Sequence, residues 1–235
     1  MTEHTITAFE EELQNLARKA MNMGGLAEKL VVDSVNALTR RDVGLADSVI
    51  KADVQIDNLQ REIEEDAILV IAKRQPVAQD LREIVSALRI SNDLERIGDL
   101  AKNIAKRVKA TSGDVQPKKL VVGVDHLSKL ALEQLKNILD AYTQRDQVKA
   151  LGVWNRDGAI DAMYTSIFRE LLTYMMEDPR NITSCTHLLF TAKNLERIGD
   201  HATNIAETIC YMITGEVLKE DRPKEDGTTS LAATG

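Results

Sequence analysis

Aromatic side chains make up only 3% of this 235-residue chain, which also has just four prolines, two cysteines and twelve glycines. Each scarcity narrows the field. Few prolines leave few obligatory helix breaks. Chains poor in aromatics and rich in Ala, Leu, Glu, Lys and Arg tend to be long-helix proteins. Cys185 and Cys210 have no Cys or His partner at metal spacing, so they read as buried, reduced core residues of a cytosolic protein. An excess of positive charge is also missing. A net charge of −7 disfavours nucleic acid as a partner, because phosphate recognition relies on Lys and Arg. The densest basic cluster, Lys102, Lys106, Arg107 and Lys109, reads as a solvated helix end whose cations suit the C-terminal dipole. The longest purely apolar run is Ala67 to Ala72, far below the ~20 residues of a spanning helix. The opening MTEHTITAFEEELQNL is acidic and amphipathic, unlike a secretory leader. A cytoplasmic location is expected.

What remains is helical pattern. Pro76, Pro117 and Pro179 mark three breaks, and polar stretches near Arg40–Asp42 and Gln144–Asp146 mark two softer ones. The expected helices span about 6–40, 43–74, 78–110, 117–144, 147–177 and 182–214. In the second segment, Leu45, Val49, Ala52, Ile56, Leu59, Ile63, Ala67 and Val70 recur at three- and four-residue steps, the stripe of a helix in a bundle. Long helices with short connections pack as antiparallel neighbours. The polar, aperiodic segment after Thr214 reads as a disordered tail.

The chain also repeats itself. LERIGDLAKNIA at Leu94–Ala105 returns as LERIGDHATNIA at Leu195–Ala206, differing only at Leu100/His201 and Lys102/Thr203. AxTxRD recurs at Ala37–Asp42 and Ala141–Asp146, and Asp53/Asp57 recurs as Asp157/Asp161. The Asp pairs are offset by 104 residues and the LERIGD boxes by 101. Three blocks in the same order indicate internal duplication. The expected fold is therefore all-α: two tandem, pseudo-symmetric three-helix bundles, 1–112 and 113–214, followed by a 215–235 tail.

Each half carries two acidic pairs at i,i+4 spacing: Asp53/Asp57 with Glu95/Asp99, and Asp157/Asp161 with Glu196/Asp200. Like charges one turn apart cost an isolated helix a few tenths of a kcal/mol, roughly. Four such pairs in equivalent places suggest that something positive uses them. Asn103 and Asn204 extend two of the lines by a turn. A helical projection puts Glu95, Asp99 and Asn103 opposite the Leu94/Ile97/Ala101/Ile104 stripe, so an outward acidic face is expected. If the pairs meet, the donors are all oxygen. Such a set suits Mg, Mn, Ca or ferric iron, with zinc borderline. A salt-bridged solvated face is the alternative, since Arg96 and Arg197 adjoin the acids. His201 reads as a surface residue rather than a ligand. Gly98 and Gly199, costly inside a helix, point to close helix–helix approach.

The doubled ERIGDxAxNIA box, with a DxxxD in each half, resembles the PhoU family of phosphate-transport regulatory proteins over residues 8–214. The resemblance implies two similar three-helix bundles and surface iron or zinc clusters. Carried over here, the ligands would be Asp53, Asp57, Glu95 and Asp99 in one cluster, and Asp157, Asp161, Glu196 and Asp200 in the other. It further implies a cytoplasmic negative regulator of the phosphate-starvation response. Its partners would be the ATPase subunit of the phosphate ABC transporter and a sensor histidine kinase, with only peripheral contact with membrane complexes. A second copy of the chain, as a homodimer, is a further candidate partner.

Two other readings compete. A cytosolic metal-binding scaffold or buffer would share the acids but not the phosphate role. A carboxylate-bridged di-metal enzyme needs Glu-x-x-His pairs, and no Glu stands three residues before any of the four histidines. HExxH, GxSxG and P-loop patterns are absent too. The expectation is a protein that is not an enzyme.

Overall fold

The computed structural model describes residues 2–113 and 118–218 of the chain. Among these residues there are seven α-helices and no strand: α1 (Thr2–Arg40), α2 (Val43–Arg74), α3 (Ala78–Ala110), α4 (Lys118–Gln144), α5 (Gln147–Asn155), α6 (Asp157–Glu177) and α7 (Ile182–Thr214). A 3-10 turn, Pro179–Asn181, precedes α7. The chain is thus all-α, as its composition suggests. Of the expected tail, residues 215–218 are described, and 219–235 lie outside the described residues.

The turns explain the repeated AxTxRD block. Arg41 adopts φ 56° and Arg145 φ 50°. The next N–H, from Asp42 or Asp146, donates to the carbonyl of Ala37 or Ala141 at 2.9 Å. Arg41 and Arg145 donate in parallel to Leu38 and Tyr142, both at 3.3 Å. This is the Schellman arrangement that satisfies the last carbonyls of a helix. The Asp then begins the next helix: Asp42 Oδ1 accepts from the Leu45 N–H at 2.9 Å, and Asp146 Oδ1 from Lys149 at 3.0 Å. Two residues therefore close one helix and cap another.

The fifth expected helix, 147–177, is divided. Arg156, at φ −96° and ψ 4°, separates α5 from α6. Its N–H bonds back three residues to Val153, and Ala159 bonds back three to Arg156. The equivalent stretch of the first half, Lys51-Ala52-Asp53-Val54, runs through the uninterrupted α2. The second half has Asn155-Arg156-Asp157-Gly158 instead, and Asn and Gly are weaker helix formers than Lys and Val.

The two halves share a seam. α1, α2 and α3 pack together, as do α4, α5, α6 and α7, while α1 meets α4 and α3 meets α7. α3 and α7 run antiparallel. Arg82 lies against Gly215, Arg89 over the Tyr211 ring, and Arg107 over the Phe190 ring with its guanidinium carbon 4.3 Å from the centroid. Midway, Asp93 Oδ1 bonds His201 Nδ1 at 2.9 Å and accepts from Asn204 at 3.4 Å. His201 is therefore a half-buried seam residue, not the surface residue expected. α3 and α7 bury residues around most of their circumference, as central helices must. Cys185 and Cys210 are free and buried, as expected.

Gly98 and Gly199 allow the close approach foreseen for them. A Cβ on Gly98 would lie 2.8 Å from Ile56 Cδ1, and one on Gly199 would lie 2.7 Å from Ile160 Cδ1. Gly25, by contrast, has nothing within 4 Å of an added Cβ. We therefore expect Gly98→Val or Gly199→Val to lower stability by about 1–3 kcal/mol. Gly25→Ala should raise it by about 0.5–1 kcal/mol. Urea unfolding of the three variants tests the contrast.

Candidate functional site

In the first half the acids come together through a lysine. The buried line of α2 runs Val49, Asp53, Ile56, Ile63, Ala67 and Val70. Asp53 thus stands on a core position, only 2% exposed. Gly98 gives it room, since a Cβ there would meet Asp53 Oδ1 at 3.4 Å. Lys102 Nζ reaches from α3 to Asp53 Oδ2 at 2.5 Å and to Asp99 Oδ1 at 3.0 Å. Burial pushes the Asp53 carboxyl up, Lys102 pulls it down, and the Asp57 and Asp99 charges push it up further. The hydrogen bond to Asp53 holds the Lys102 ammonium far above its ordinary range, so the lysine stays charged. Glu95 and Asp57 are half-buried beside this pair. Burial raises the Glu95 carboxyl, as do the charges of Asp99 and, more weakly, Asp57 and Asp53.

The second half repeats the acids with different neutralisation. Asp157, Asp161 and Glu196 are buried, and Asp200 is half-buried. Thr203 stands where Lys102 stands in the first half, and its hydroxyl donates to Asp157 Oδ1 at 3.2 Å. A different lysine of α7, one turn before Glu196, takes over: Lys193 Nζ lies 2.7 Å from Glu196 Oε1 and 5.0 Å from the Tyr164 ring centroid. Burial raises the Glu196 carboxyl above its usual range. Lys193 opposes this, while the charges of Asp200 and Asp161 add to it. Glu196 Oε2 is buried without a hydrogen-bond partner.

The expected outward acidic face is thus corrected. Asp53, Asp157, Asp161 and Glu196 are interior groups, Asp57, Glu95, Asp99 and Asp200 are half-buried, and Asn103 alone of the α3 line is exposed. The projection used one apolar stripe per helix, whereas α3 and α7 are each packed on more than one side. The signal was nonetheless present: Val153, Asp157, Ile160, Tyr164, Ile167 and Leu171 follow one another at alternating four- and three-residue steps, and all are buried. The basic cluster also reads differently. Lys102 clamps the acids, Arg107 packs on Phe190, Lys109 pairs with Asp47, and Lys106 alone is left exposed and without a pairing in this group. Among the described residues, no group of three or more acidic, His or Cys side chains is disposed to hold a metal ion.

The duplicated architecture is shared with known proteins. A model of the PhoU domain matches this chain twice, over residues 20–108 and 124–209. The chain belongs to the PhoU family. A phosphate-specific transport system accessory protein PhoU homolog of Rhizobium meliloti (strain 1021) is 59% identical over 230 residues, covering 98% of this chain and 97% of the relative. The crystal structure of PhoU from Pseudomonas aeruginosa superposes with a TM-score of 0.86 at 41% identity, covering 88% of this chain and all of that one. The phosphate transport system regulatory protein PhoU from Streptococcus pneumoniae superposes with a TM-score of 0.83 at 29% identity, over 90% of this chain. The PhoU fold here thus carries two acidic clusters, each closed by its own lysine.

Two outcomes follow from the burial. Lys102→Met strands the Asp53 carboxylate inside the protein and should cost about 3 kcal/mol, with Asp53→Asn in the same chain recovering most of it. Thermal unfolding of the single and double variants tests this. Glu196 is raised in the fold, so the folded state binds its proton more tightly than the unfolded chain. Its contribution to stability is complete below the ordinary carboxylate range and is lost as pH rises through the folded value. In metal-free protein, Glu196→Gln should therefore melt higher than the parent near pH 7, by on the order of 2–4 °C. The gap should close toward about pH 4, and melting curves across that range check it.

Proposed function

We propose that this chain is a non-enzymatic, cytoplasmic regulatory adaptor of phosphate transport. It would restrain the phosphate-starvation response by linking the ATPase subunit of a phosphate ABC transporter to a sensor histidine kinase. The observation that carries the reading is the near-full-length 59% identity to a relative named as an accessory protein of phosphate-specific transport. Two further features support it. No helix among the described residues is long and apolar enough to cross a membrane. The antiparallel α3–α7 seam joins the halves into a body that can favour one partner state over another, and a partner shifts an equilibrium only by its differential affinity. The test is affinity capture from the native host, grown with ample and with scarce phosphate. Enrichment of a transporter ATPase and a sensor kinase, altered by phosphate supply, is the expected result. Their absence under crosslinking in both conditions would remove the adaptor reading.

Metal binding belongs to the same proposal. The four acids of the second cluster are not arranged as a ready cage, so a cation there would draw their side chains together, relieving the buried orphan Glu196 Oε2 and its crowding by Asp161 and Asp200. Asp157, Asp161, Glu196 and Asp200 would hold it, with iron or zinc the family expectation and Mg, Mn or Ca compatible with oxygen donors. At the first cluster a metal held by Asp53, Asp57, Glu95 and Asp99 would have to displace the Lys102 ammonium. Bound metal would supply the positive charge that these carboxylates share. A metal-binding scaffold or buffer without a phosphate role would use the same acids, and capture of partners separates it from the adaptor. Adding zinc or ferric iron to metal-free protein should raise the melting temperature, chelation should reverse the rise, and Asp161→Asn should weaken it. No change on addition of any of the five metals would remove metal from the account.

A further inference from the structure

Gln134 of α4 is only 6% exposed, and neither its amide oxygen nor its amide nitrogen has a hydrogen-bond partner among the described residues. Burying a primary amide with both needs unmet costs the desolvation of two groups. The two halves of the chain show where this amide lies. An added Cβ on Gly98 would meet Ile56 Cδ1 at 2.8 Å, Asp53 Oδ1 at 3.4 Å and Ile56 Cγ2 at 3.5 Å. On Gly199 it would meet Ile160 Cδ1 at 2.7 Å, Gln134 Oε1 at 3.4 Å and Ile160 Cγ2 at 3.5 Å. The isoleucines correspond atom for atom. The Gln134 oxygen therefore stands against its glycine where the Asp53 carboxylate stands in the first box.

Asp157, the counterpart of Asp53 in the repeat, is not among those nearest atoms. It begins α6 directly after the Arg156 break, and its Oδ1 accepts from the Thr203 hydroxyl. A side chain from another helix holds the place instead. Shifted by 104 residues, the first half has Leu30 where Gln134 stands, and Leu30 is ordinary buried core. A position that had only to pack would keep the leucine. A carboxylate there would add charge to a box that already holds Asp157, Asp161, Glu196 and Asp200, where burial and two neighbouring charges raise Glu196. An amide supplies the oxygen without the charge. Glu196 Oε2 is a second buried oxygen of this box without a hydrogen-bond partner. A cation accepts lone pairs from both.

We propose that Gln134 is a neutral member of the second acidic box, its amide oxygen a ligand to the cation that draws Asp157, Asp161, Glu196 and Asp200 together. The inference rests on the metal reading given above and adds to it a ligand from outside the repeated motif. Amide carbonyls join carboxylates around hard cations, and such oxygen sets suit Mg, Ca and Mn. The amide N–H groups are then available to a carboxylate of the box, which fixes that carboxylate as a ligand. The first box has a leucine at the corresponding place and the Lys102 ammonium against Asp53 and Asp99, so it lacks this donor.

Manganese(II) is the probe, titrated into the metal-free full chain and read from the electron paramagnetic resonance signal of the unbound ion. Saturable binding is expected. Gln134→Leu and the near-isosteric Gln134→Met, which both remove the oxygen, should each weaken it by about tenfold or more. Gln134→Glu, which keeps an oxygen, should retain it. Without metal, Gln134→Leu should melt no lower than the parent, because leucine ends an unmet amide. In the Asp161→Asn chain, adding Gln134→Leu should cost much less than it does alone, since both act on one site. Manganese binding indifferent to Gln134→Leu and Gln134→Met, or additive losses in the double variant, would overturn the inference and leave the metal reading standing. No binding of manganese, zinc or ferric iron by the parent chain would remove both.

Discussion

Two long helices that carry nearly the same dozen residues are packed antiparallel, and the rest of the molecule is arranged around that pair. α3 and α7 each belong to their own half and to the other at once. This placement demands apolar or tightly packed side chains on most of their faces, which is why Leu94, Ile97, Ala101 and Ile104 are matched by Leu195, Ile198, Ala202 and Ile205 in full burial. Each large aliphatic so buried contributes about 1.5–3 kcal/mol. It also explains the glycine in each box. With Gly98 and Gly199 the neighbouring helices of each half can press Ile56 and Ile160 against the central pair.

The same packing decides the fate of the acids. A carboxylate taken out of water must find a partner or a proton. Asp53 finds Lys102, and Glu196 finds Lys193. Lys102 lies inside its box whereas Lys193 stands two residues ahead of its own, and this is the chemical content of the Lys102/Thr203 difference. Leu100/His201 has a similar meaning. His201 bonds Asp93 across the seam, while the positions related by the repeat, Leu100 and Asn194, cannot make that pair. Duplication preserved the packing and let the polar contacts diverge.

Much of this was legible in the residues. Prolines and the AxTxRD blocks placed the helix ends within a few residues, because a ring without an N–H and an Asp that caps act locally. The repeat and the role of the glycines were legible too. The break at Arg156 was not, since Asn155 and Gly158 are only weak deterrents to a helix and the apolar period continues through them. The direction of the acids was misread because a projection assumes one buried stripe. A helix packed on several sides has none, and Asp53 and Asp157 sit on core registers that an apolar pattern alone overlooks. The Lys102 and Lys193 contacts depend on how α2 and α6 lie against the central pair, which no local pattern encodes.

The central claim is that the two boxes form one cooperative seam rather than two separate cores. Native-state hydrogen exchange of the full chain, resolved by mass spectrometry, tests it most directly. The account predicts that amides of Leu94–Ala105 and Leu195–Ala206 exchange together in the slowest class, and that His201→Leu accelerates both. Exchange of one box while the other stays protected would show that the halves open independently and would contradict it.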